Sequence, residues 1–262
     1  MTPDSENNVL PDAWQYLAPL TAARIALGRC GVSLPTHETL RFALAHAQAR
    51  DAVHAALDVD VLAQQLALAG FETMRVASAA TDRLEYLQRP DRGRCLGATS
   101  RTDLAAYNAA PCDLVFVVGD GLSSRAIMQG ALPFLIEMRA ILDTADWRIA
   151  PVILATQARV ALGDEVGAAL SAQAVVMLIG ERPGLSSPDS MGAYLTWAPR
   201  SGRLDAERNC LSNIRPEGLT YPVAARKLAW LLLQARTSGL TGVGLKDESD
   251  EGLKRLGPAC PE

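Results

Sequence analysis

Four groups of residues in this 262-residue sequence are chemically suggestive. Gly119-Asp120-Gly121-Leu122-Ser123-Ser124 begins like a dinucleotide fingerprint, but a serine stands where the third glycine belongs. It reads as the NAD-type loop of an oxidoreductase or as a tight turn in which glycines allow positive φ. Gly180-Glu181-Arg182-Pro183-Gly184-Leu185-Ser186-Ser187-Pro188-Asp189 is stiffened by glycine and proline and presents polar groups. An ionised Glu181 only accepts hydrogen bonds, so it suits a ligand rich in amide or hydroxyl donors and repels phosphate. Arg182 suits a phosphate instead, and a salt-bridged turn would use both residues without any ligand. Cys210 is a nucleophile only if a base reaches it, yet His37, His46 and His54 all lie far away in the first part of the chain. A structural or ligand-contacting cysteine is the alternative. His46, Arg50 and His54 share one helix face, but two turns separate the histidines, too far for a simple zinc pair. That face is solvated or meets a partner.

The elements that must position these groups differ between two halves. Residues 1–105 have helical periodicity and no convincing strand. Thr36 is a candidate N-cap for a helix running through Leu40, Ala43, Leu44, Ala47, Val53 and Leu57, and a shorter helix over 59–69 ends at Gly70. Arg89-Pro90-Asp91-Arg92-Gly93-Arg94 is a turn-rich cationic link. From Asp113 onward strand and helix alternate. Leu114-Val115-Phe116-Val117-Val118 is a continuous apolar run that suits a strand buried on both faces. Ser123 or Ser124 caps a helix towards Leu142. Strands follow at 151–154, 174–179 and 194–198, with helices at 163–170 and 223–236. The pattern predicts an α/β fold with a Rossmann-like, mainly parallel sheet flanked by helices and preceded by a helical region. Residues 1–105, 106–240 and a flexible tail, 241–262, are the expected divisions. Ligands of such sheets bind at the carboxyl ends of the strands, which points to the loops at 119–124, 156–163 and 180–188.

Composition removes several classes. The balance of 25 basic against 29 acidic residues, with no basic stripe, argues against nucleic acid. The start of the chain is polar and acidic, unlike a signal peptide, and no apolar run is long enough to span a bilayer. Five scattered cysteines form no CxxC pair, so neither a disulfide framework nor a metal site is expected. There is no Walker loop, HExxH or D-x-H-x-x-G, and nothing supports self-contained catalysis. A cytoplasmic protein is expected.

Taken together, residues 20–29 (Leu-Thr-Ala-Ala-Arg-Ile-Ala-Leu-Gly-Arg), the 89–94 link, Asp120-Gly121-Leu122-Ser123, the segment 180–185 and residues 208–215 resemble the ethanolamine ammonia-lyase small subunit family, in that family's order. The resemblance implies a non-catalytic subunit of a hetero-oligomeric, adenosylcobalamin-dependent lyase that converts ethanolamine to acetaldehyde and ammonia by a radical route. It implies a TIM-barrel large subunit that binds ethanolamine, with the cobalamin between the two chains. Matched residue by residue, it assigns cofactor contacts to Val160, Glu181 and Cys210. The missing D-x-H-x-x-G implies that the cofactor's own base stays on the cobalt. Some members carry a long amino-terminal extension linked to a bacterial microcompartment; this chain has little before Leu20. The His46, Arg50 and His54 face is then a candidate contact for the large chain.

Overall fold

A computed structural model describes residues 9–107 and 111–250. Six strands form one sheet in the order β1-β3-β2-β4-β5-β6. These are β1 (Thr73–Ala77), β2 (Leu114–Gly119), β3 (Val152–Thr156), β4 (Ala174–Gly180), β5 (Met191–Trp197) and β6 (Asn209–Ile214). The first four run parallel, whereas β5 is antiparallel to β4 and β6 antiparallel to β5. The expected α/β sheet flanked by helices is thus present and parallel through four of its six strands, but its antiparallel β5 and β6 make it mixed rather than Rossmann-like throughout. The cause is length: ten residues join β4 to β5 and eleven join β5 to β6, without an α-helix in either link. A parallel return needs a longer crossover.

The helices are α1 (Thr36–His54), α2 (Val59–Leu68), α3 (Arg83–Gln88), α4 (Ala98–Ala106), α5 (Ser124–Leu142), α6 (Leu162–Ala169) and α7 (Tyr221–Ser238). The central strands are apolar throughout because both faces are covered. Leu114, Phe116, Val118, Val176 and Leu178 pack on one face with Ile127, Phe134 and Met138 of α5 and Leu228 and Leu232 of α7. Val115, Val117, Val175 and Met177 face the other way, onto Leu104 of α4 and Leu162 and Val166 of α6. Ser123 accepts the Ala126 N–H and so caps α5, the first of the two serines considered.

Three further expectations change. The region up to residue 105 contains a strand, β1, which extends the sheet beside β3. Thr36 is the first residue of α1 rather than its cap, and Leu40 and Leu44 are exposed, while Ala45 and Ala52 are buried. The chain beyond Gly239 is docked at least to residue 250: Asn209 bonds Gly242 and Leu245, and Lys227 bonds Ser249 and Asp250. The rest of the expected flexible tail, and the first eight residues, lie outside the described residues. No helix among the described residues is long and apolar enough to cross a membrane.

Candidate functional site

The loops after β2, β3 and β4 meet at the carboxyl edge of the sheet, and Asp120 locks the first two of them together. Its carboxylate accepts the backbone N–H groups of Gly121 (3.0 Å), Gln157 (3.0 Å) and Ala158 (2.9 Å), and Arg83 Nη1 at 3.2 Å. Burial pushes the Asp120 carboxyl up, and the Ala158 amide, the Arg83 guanidinium and the other two amides oppose that push. Gly121 has φ +56°, and a Cβ there would lie 2.2 Å from the Gly180 carbonyl. Only glycine permits so close an approach of the two loops.

This geometry decides the reading of the glycine loop. A pyrophosphate needs free amides at a helix start. Here Asp120 takes the Gly121 N–H, Gly180 takes the Leu122 N–H, and Ser123 caps α5 while donating to Pro188. The segment 119–124 is thus a tight strand-to-helix turn whose Gly121 and Leu122 amides are already bonded within the protein, which favours the turn reading over an NAD-type loop.

Around the lock lies an open crevice of about 470 Å³, lined by Tyr86, Leu122, Arg159, Val160, Glu181, Arg182 and Tyr194, among others. Val160 and Glu181, singled out from sequence, thus share one site. Val160 packs against the α6 side of the core. The Glu181 carboxylate accepts the Ser190 hydroxyl and the Asn213 N–H. Cys210 is register partner of Tyr194 across β5 and β6, so it flanks the same face. Burial pushes the Cys210 thiol up, opposed by Tyr194 and aided by the Glu181 charge. A thiol held protonated in this way is a poor nucleophile and a good packing or contact group.

Sequence reasoning missed Tyr86 and the role of Tyr194. Tyr86 is buried, its hydroxyl donates to the Ala158 carbonyl at 3.2 Å, and burial raises it to about 12. The guanidinium carbons of Arg83 and Arg159 each lie 4.6 Å from its ring centroid. Burial also raises the Tyr194 hydroxyl. The only sequence signal for Tyr86 is its i, i+3 spacing from Arg83. The His46, Arg50 and His54 side chains stand on α1 and do not line this crevice. Among the described residues, no group of three or more His, Cys, Asp or Glu is placed to hold a metal ion.

The fold defines an α/β protein with an open crevice at the carboxyl edge of a mixed sheet. Residues 11–246 match the family model of the ethanolamine ammonia-lyase light chain (EutC). The chain is similar to the ethanolamine ammonia-lyase small subunit of Xanthomonas campestris pv. campestris (strain B100), 54% identical over 245 residues, covering 92% of this chain and 90% of that one. The small subunit of Pseudomonas putida (strain W619) is 52% identical over 240 residues, covering 90% and 88%. This chain belongs to the ethanolamine ammonia-lyase light chain family, the small-subunit component of a lyase.

Proposed function

We propose that this chain is the non-catalytic small subunit of an adenosylcobalamin-dependent ethanolamine ammonia-lyase. On this reading it covers the cofactor at the interface with the large subunit. The observation that carries the reading is one crevice shared by Val160 and Glu181, with Cys210 on its flank, in a chain of this family. About 470 Å³ is room for a drug-sized ligand. A corrinoid is larger, so part of it would project beyond this chain towards a second one.

The residues fit such a group. Glu181 offers carboxylate acceptors to side-chain amides, Val160 an apolar contact, and Cys210 a neutral thiol beside Tyr194. When bound, adenosylcobalamin supplies the radical chemistry that turns ethanolamine into acetaldehyde and ammonia. This chain's part is to hold and orient the cofactor and to shield one side of it from water. Residues 1–105 contact the large subunit, a TIM barrel that binds ethanolamine, chiefly through the exposed face of α1. Residues 106–240 contact the cofactor, and the assembly is a cytoplasmic hetero-oligomer.

The test is to co-express the chain with its large subunit and measure ammonia release from ethanolamine, with and without adenosylcobalamin. Activity should require both chains and the cofactor. Full activity of the large chain alone would reject the role.

A further inference from the structure

Two guanidinium groups lie against the Tyr86 ring, and only one is neutralised. Arg83 pairs with Asp120 at 3.2 Å. Arg159 has no carboxylate partner among the described residues, although its side chain is held firmly. Its backbone N–H donates to the Gly93 carbonyl at 2.8 Å, a Cβ on Gly93 would lie 3.1 Å from the side chain's Cγ, and the side chain's Nη2 donates to the Tyr86 carbonyl at 3.1 Å. Its Nε is buried with no acceptor. Apart from the Nη2 bond to Tyr86, its Nη donors have no protein acceptor among the described residues and are free to meet an anion in the crevice.

Arg182, exposed on the same crevice, also has no ion-pair partner among the described residues. Glu181 does not neutralise either arginine, because its oxygens are turned to Ser190 and Asn213. The crevice therefore separates an acceptor, Glu181, from a pair of charged donors.

We propose that Arg159 and Arg182 form an anion subsite, and, resting on the corrinoid reading above, that they hold the phosphodiester of the cofactor's nucleotide loop. The amide side chains of a corrinoid are neutral, so the phosphodiester is the group that planar guanidinium donors match. The subsite makes this chain selective for complete cobalamins over corrinoids that lack the nucleotide loop.

The experiment uses the purified apo-complex of this chain with its large subunit. Binding of cyanocobalamin and of cobinamide, which lacks the phosphodiester, is measured by equilibrium dialysis and corrin absorbance, without turnover. Arg159→Ala and Arg182→Ala should each weaken cyanocobalamin binding about tenfold or more, the usual worth of a charge-assisted hydrogen bond. Cobinamide binding should stay within about twofold. Equal losses for both corrinoids, or no loss for either, would overturn the subsite. If Arg159→Ala fails to assemble, the exposed Arg182→Ala decides. A wild-type complex that binds neither corrinoid rejects the cobalamin reading itself and the subsite with it.

Discussion

Asp120 accepts the Ala158 backbone N–H at 2.9 Å, across 38 residues of chain, and so fixes the loop of Val160 to the loop after β2. The same carboxylate is the sole acidic partner of Arg83 among the described residues. Asp120→Ala strands a buried guanidinium and three amides. The expected cost is about 3–5 kcal/mol in urea unfolding, the range for breaking a buried pair. Asp120→Asn keeps the shape and should cost less. Equal stability of Asp120→Ala and the native chain would show that the loops are held by packing alone.

A second buried pair involves Arg208, two residues before Cys210 in the chain. Arg208 Nη1 lies 2.6 Å from Asp164 Oδ1, with both side chains 2% exposed, and it also donates to Thr196 at 3.1 Å. The pair ties the residue before β6 to the first turn of α6. Asp164→Ala should destabilise by about 3–5 kcal/mol, whereas replacing both partners with leucine and methionine should recover most of that loss. Chemical denaturation of Asp164→Leu, Arg208→Met and the variant carrying both decides it. Additive losses would mean that the pair is not energetically coupled.

What could be read in advance follows from burial. Strands β2, β3 and β4 are covered on both faces, so each is a continuous apolar word in the sequence. The edge strands are not. In β1 only Val76 is buried, and in β6 only Leu211 and Ile214, so neither carries a hydrophobic signature. The crevice loops were legible because strand ends locate them. The Asp120 lock and the Tyr86 stack were not, since they join residues 37 to 73 positions apart. Helix α1 shows a different failure: its periodicity identifies a helix but not which side this chain covers.

Gly192 stands where the register of β5 and β6 shifts, directly beneath the crevice. A Cβ there would meet Glu181 Oε1 at 2.9 Å and the Tyr194 ring at 3.1 Å. A carboxylate at the end of a flexible side chain moves before a strand does. Gly192→Ala should therefore shift Glu181 and weaken cobalamin binding by the complex about tenfold, with stability changed by less than about 1 kcal/mol. Dialysis binding and a thermal melt separate the two effects. A large drop in melting temperature with native affinity would place the strain in the sheet instead.

Leu40, Phe42 and Leu44 stand 65%, 48% and 60% exposed on α1, close in sequence to exposed Leu34 and Val32. Leu40 and Leu44, four residues apart, share one side of α1, and exposed apolar side chains on one side of a helix mark an interaction site more than a folding need. Replacing Leu40 and Leu44 by serine removes little buried area in this chain, so its own unfolding should change by no more than about 0.5 kcal/mol per site. Association is the property that should suffer. Size-exclusion chromatography of the co-expressed subunits should show the native pair eluting together and the double variant separated from the large chain. Co-elution of the double variant at native strength would remove the Leu40 and Leu44 side of α1 from the interface.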